Sequence, residues 1–138
     1  MKKKMLMMAF TATMTLGCEA QVLFSTPDLY DTGMMNMYIN AARETARARL
    51  DNFIYYYGKA VDAYNGQQWD NVIYYANQAF ATYYEDEQLY FMRGIAYDCK
   101  GRTRDAKKDL KTALKQGYKD AQKALDYIEA REKQRKNK

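Results

Sequence analysis

The chain has no histidine, one proline and two cysteines among its 138 residues. Without histidine it lacks the commonest general base and the commonest metal-ligating side chain. Its two cysteines, Cys18 and Cys99, fall short of a four-ligand zinc site. These shortages point to a protein that is not an enzyme and that needs neither a metal nor a cofactor. A lone proline, Pro27, with only seven glycines speaks against a loop-rich fold. Long apolar runs are missing too. The one apolar stretch, residues 5–16, is interrupted by Thr11, Thr13 and Thr15. A bilayer span needs about 20 apolar residues, so no membrane span is expected.

What is present favours helix. Ala, Lys, Gln, Met and Leu are abundant, and all are good helix formers. The composition is 48% hydrophobic and 28% charged, which is that of a globular chain. The fold class expected is all-α, in one small domain. The formal net charge of +5 comes from the ends of the chain: residues 1–20 carry +2 and residues 131–138 carry +4, leaving −1 for the body. A nucleic-acid-binding face would be basic in the folded part, so no nucleic-acid partner is expected. The basic tail suits the negative end of a terminal helix.

Lys2, Lys3 and Lys4 followed by the short apolar run have the layout of a secretory signal peptide, residues 1–20. Cys18-Glu19-Ala20 suits ordinary cleavage before Gln21. The alternative is Leu16-Gly17-Cys18 as the end of a bacterial lipobox, with Cys18 acylated, although Thr15 stands where a leucine is usual. Either processing makes the protein exported, periplasmic or attached to the outer envelope. Residues 21–33 are expected to form a flexible lead.

Residues 90–117 read YFMRGIAYDCKGRTRDAKKDLKTALKQG, and they match the chain 34 residues earlier. Tyr90 falls on Tyr56, Phe91 on Tyr57, Gly94 on Ala60, Ala106 on Val72, Leu110 on Ala76, Ala113 on Ala79 and Leu114 on Phe80. Small residues meet small ones and large meet large. A constant period of this kind marks stacked helical hairpins. Gly94, Tyr97, Gly101, Ala106, Leu110 and Ala113 in this spacing resemble a tetratricopeptide repeat. GQQWDNVIYYANQAF, residues 66–80, resembles the turn and second helix of another. That earlier unit has Ala63 where an aromatic is usual and Gly66 one place early. Tyr84 and Tyr118 replace the closing prolines. The resemblance covers residues 53–118. It implies a short α-solenoid in which helix 53–65 pairs with 70–83 and helix 88–100 with 104–116.

Two units are too few to bury a continuous core, so the flanks should help. Residues 119–136, with Ala121, Ala124, Leu125 and Ile128 at helical spacing, are expected to form a capping helix. Met35, Tyr38, Ile39, Ala42, Ala46 and Leu50 form a helical stripe over 34–50, expected as a degenerate half-repeat that caps the N-terminal edge. The domain is therefore placed at 34–136.

The resemblance also implies a use. Proteins of this family bind extended peptides or partner surfaces in a concave groove lined by the first helix of each pair. The corresponding places here are Tyr57, Val61, Tyr64, Phe91, Ile95 and Asp98, with Leu125 and Glu129 extending them. Tyrosine suits such a groove, with a large apolar area, few rotors and one polar tip. Tyr56, Tyr90 and Tyr97 are expected in the core. The lysine clamp of chaperone-binding members has no counterpart, because Tyr57, Val61, Met92, Gln122 and Asp126 stand at its places. Arg104, Lys107, Lys108, Lys111 and Lys115, diluted by Asp105 and Asp109, read as a solvated outer face rather than a docking patch. Cys99 reads as a packed small hydrophobe. The function expected is an exported scaffold, monomeric or weakly dimeric, that binds a protein or peptide. The alternatives are a module for an envelope polysaccharide or other polymer, a lipid-anchored accessory of envelope assembly, and an enzyme built on Asp98 with Glu129.

Overall fold

The computed structural model describes residues 32–137. The expected signal peptide, Cys18 and the lead up to residue 31 lie outside them. Five helices follow in order: α1 (Thr32–Asn65), α2 (Trp69–Phe80), α3 (Glu87–Cys99), α4 (Thr103–Lys115) and α5 (Asp120–Lys136). The protein is all-helical, with no strand among the described residues. No described helix is long and apolar enough to cross a membrane. The chain divides into two units, Met1–Arg47 and Ala48–Lys138. In the first, the described part is the start of α1, where Met34, Met37 and Ile39 are exposed and the Thr45 hydroxyl donates to the Ala41 carbonyl at 2.9 Å.

Helix α1 corrects an expectation. Two elements, 34–50 and 53–65, are one helix of 34 residues that already includes Thr32 and Gly33. The physical reason is the lack of a breaker. Between Gly33 and Gly58 there is neither glycine nor proline. A helix once nucleated adds one hydrogen bond for each residue it fixes, and Asp51-Asn52 alone does not offset that.

The turns in the second unit recur at a fixed interval. Positive φ angles occur at Gln67 (55°) and Gly101 (77°), 34 positions apart, and at Tyr83 (68°) and Gly117 (108°), again 34 apart. The bonds closing the turns repeat with them: Gln68 N–H donates to Ala63 at 2.9 Å, and Arg102 N–H to Tyr97 at 2.8 Å. The first turn differs from expectation in one detail. Gln67, not Gly66, takes the left-handed backbone, at a cost of about 1 kcal/mol that glycine at 101 avoids. Helix α2 stops at Phe80, short of the expected residue 83, because Tyr83 also turns left-handed. Asp86 then caps α3, accepting from Leu89 N–H at 2.9 Å.

Small residues set the helix spacing. Ala60, Ala63, Val72, Ala76, Ala79, Leu89, Met92 and Ala96 form one buried cluster, and Tyr97, Ala106, Leu110, Ala113, Ala121, Leu125 and Ile128 a second. Ile73 and Phe91 pack against both. Helices α3 and α4 meet tightly at Gly94, where a Cβ would lie 2.9 Å from Leu110 Cγ and 3.3 Å from the Ala106 carbonyl. One buried polar link crosses this interface. Asp109, which the charge pattern places on a solvated face, is only 4% exposed. It takes a two-point ion pair from Arg93 at 2.6 and 2.9 Å. Arg93 also donates to Asn77 Oδ1 at 2.6 Å and lies 4.6 Å over the Phe80 ring. It thereby ties α2, α3 and α4 together.

Candidate functional site: an aromatic strip on α1 and α3

In α1, Tyr57, Val61 and Tyr64 are spaced by four and three residues, so they share one helix face. Each is half-buried. They flank the stripe of Ala60 and Ala63 that enters the core, and are themselves left partly open. The same face continues towards the N-terminus through Ile54 and Leu50, which are 59% and 41% exposed. Leu50, expected in a separate half-repeat, instead extends the apolar strip. The spacing 50, 54, 57, 61, 64 is legible as a repeated four-three pattern, but the expected start of the first repeat helix at residue 53 hides its continuity.

Helix α3 supplies the other side. The Tyr57 hydroxyl donates to Gln88 Oε1 at 2.9 Å, fixing the start of α3 beside the strip. Phe91 is half-buried, and its ring centroid lies 4.7 Å from that of Tyr118. Tyr118 lies near enough to both Tyr57 and Tyr64 to raise the pKa of each phenol electrostatically. Phe91 and Tyr118 are therefore ring neighbours, and Tyr57 and Tyr64 both lie within electrostatic range of the Tyr118 hydroxyl. The sequence points to Tyr57, Tyr64 and Phe91. Tyr118 stands out there only as a substitute for a closing proline, and its ring contact depends on how the chain passes from α4 to α5.

The remaining expected residues are placed differently. Ile95 is half-buried and packs against the second core cluster. Asp98 is held by a two-point ion pair from Arg131 of α5, one leg at 3.2 Å from Nη1 and the other from Nη2. Its carboxylate is thus neutralised within the chain. Leu125 is 5% exposed and belongs to the core, whereas Glu129 is exposed. Tyr97 is buried as expected, while Tyr56 and Tyr90 are half-buried.

The electrostatics of the strip follow from burial. Partial burial is the main cause that raises the phenol of Tyr57 above its ordinary value, with Asp86 and Glu87 adding to it. For Tyr64, burial again leads, followed by Tyr118 and Cys99. Both rings stay neutral at ordinary pH and present apolar area with a hydrogen-bonding tip. Cys99 is exposed rather than packed. Partial burial of its thiol and the neighbouring Asp98 hold it above the ordinary thiol value, against the opposing pull of Arg131. A thiol held in this form is a poor nucleophile. Among the described residues no three His, Cys, Asp or Glu side chains are grouped to hold a metal ion.

A shallow polar depression of about 360 Å³ lies at the turn from α1 to α2, lined by Gln67, Gln68, Trp69, Asp70, Asn71 and Lys100. Lys100 spans it to Asp70 at 3.0 Å, and the half-buried Trp69 ring stands edge-on to Tyr64 at 5.9 Å. Its side chains are largely satisfied by one another. Comparison of the chain with protein-family models, curated proteins and solved structures gives no match.

Proposed function

We propose that the chain is an exported scaffold of the tetratricopeptide type, a short α-solenoid of two helical hairpins with a longer leading helix and α5 as the cap. It binds an extended segment of a protein partner along the aromatic strip. The 34-residue interval between equivalent turns supports the repeat reading. One observation carries the binding reading. Leu50, Ile54, Tyr57, Val61 and Tyr64 lie along one face of α1 that the core leaves partly uncovered, and the paired rings of Phe91 and Tyr118 are also left partly open. Scattered apolar residues are ordinary on a surface, but a contiguous row of this kind suits a partner. Rigid rings with few rotors concentrate interface energy. With Asp98 already paired to Arg131, the recognition is apolar with hydroxyl hydrogen bonds and does not depend on that carboxylate.

A displayed peptide library selected on the immobilised protein yields ligands directly, whatever the natural partner. The selected peptides should be rich in apolar residues. The double change Tyr57→Ala with Tyr64→Ala should weaken their binding by at least about 2 kcal/mol, in a variant whose circular dichroism matches the parent. Undiminished binding by that folded variant would remove the strip from the function.

A further inference from the structure

Helix α4 carries a second surface, separate from the strip. Arg104, Lys108, Lys111 and Lys115 follow one another by four, three and four residues and share one helix face. All four are exposed. The opposite face, with Ala106, Asp109, Leu110 and Ala113, is buried. The two acids of this helix do not neutralise the row. Asp105 is paired with Arg102 at 2.7 Å, and Asp109 is buried against Arg93. Lys107, on the flank, is taken by Glu132 of α5 at 2.8 Å. Among the described residues, none of the four has an ion pair.

Lys115 in the last turn suits the helix dipole, but the rest of the arrangement works against the helix that carries it. Like charges three and four positions apart repel. Arg104 also stands in the first turn, where the helix dipole favours the opposite sign. A locally unfavourable choice that the fold tolerates marks a functional site rather than a structural one. The row is straight and rises about 16 Å over 11 positions. No aromatic side chain interleaves it, which removes the stacking platform a single-stranded nucleic acid would use. Its face carries none of the large apolar residues that an interfacial membrane helix inserts. We propose that this row docks an acidic protein segment whose carboxylates run alongside it, each lysine acting as a point charge and Arg104 as a fork for one carboxylate.

The test uses the full chain and fluorescein-labelled poly-L-glutamate, read by fluorescence polarisation. Binding should weaken steadily as salt rises towards about 0.15 M. The variant carrying Arg104→Gln, Lys108→Gln, Lys111→Gln and Lys115→Gln should bind at least about tenfold more weakly. It should also melt close to the parent, because relief of the repulsion offsets the loss of Lys115 from the last turn. Changing Lys133, Arg135 and Lys136 of the basic tail to Gln should leave most of the binding in place. Should the fourfold variant fail to fold, Lys108→Gln with Lys111→Gln supplies the same comparison with a smaller loss. The proposal fails if the row variant binds as the parent does, or if the tail variant alone abolishes binding. It also fails if heparin, or vesicles of phosphatidylcholine with phosphatidylglycerol, compete at lower charge concentration than poly-L-glutamate, since the partner would then be a glycan or a lipid surface.

Discussion

Gly94 and Gly58 are both helical glycines, and they should answer the same substitution in opposite ways. At Gly94 a methyl group would meet Leu110 Cγ at 2.9 Å and a backbone carbonyl at 3.3 Å. Leucine can yield a little, but the carbonyl of Ala106 belongs to the facing helix and cannot. Gly94→Ala should therefore lose about 1–3 kcal/mol through overpacking, partly masked by the helix preference of alanine. At Gly58 nothing lies within 4 Å, so Gly58→Ala should gain about 0.5–1 kcal/mol. Urea unfolding of the two variants checks both signs. Equal shifts in the same direction would show that Gly94 is not at a tight contact. The Arg93–Asp109 pair belongs to the same scale. Neither charge reaches much water, their side chains being 16% and 6% exposed, so each depends on the other.

Among the elements, α5 buries one apolar side and exposes the other. Ala121, Leu125 and Ile128 are buried in the second cluster beside Tyr97 and Leu110. Arg131 holds Asp98 and Glu132 holds Lys107, so the helix is also pinned at its far end. Lys107 is the leading cause that lowers the Glu132 carboxyl below its ordinary value. Its stabilising effect is accordingly present at neutral pH and fades as pH falls through that lowered value. Ending the chain after Tyr118 should forfeit about 3–6 kcal/mol from the burial of Leu125 and Ile128 alone, a large part of the net stability of a small domain. The shortened protein is expected to bind a hydrophobic dye and to lose its sharp melting transition. A truncated chain that melts as cooperatively as the parent would show that α5 is not a cap.

For the molecule as a whole, tyrosine chemistry gives a measurable signature. Among the described tyrosines, Tyr57, Tyr64 and Tyr90 are raised above the ordinary phenol value of 10.0, burial being the first cause in each. A group whose folded pKa is raised is stabilising while protonated. Its contribution is complete below the unfolded value and is lost as pH rises through the folded one. Their contribution should thus be fully present and independent of pH near neutrality, and stability should fall above about pH 10. Near-ultraviolet titration of phenolate absorbance is expected to show a late-ionising subset in the folded protein that disappears in denaturant. A single transition at the ordinary value for all tyrosines would remove the burial assigned to the strip. Within the unit Ala48–Lys138 the late titration and the onset of unfolding should coincide.

The sequence by itself determined the helical class, the positions of the turns to within three residues, and most of the core. Small and large residues recur every 34 positions, and that pattern depends only on which side chains can sit between close-packed helices. Gly101 is legible as a turn because a left-handed backbone is cheap for glycine. The tertiary structure decided what such local signals cannot reach. It gave the first turn to Gln67 instead of Gly66. It took Asp109 out of the charged face and buried it on Arg93, and it committed Asp98 to Arg131, 33 positions away. A charge pattern read along one helix does not reveal a partner on another. The balance of exposed charge on α4 and the company of Tyr118 were therefore fixed only when the helices packed, since both depend on which side chains from distant positions arrive at the same place.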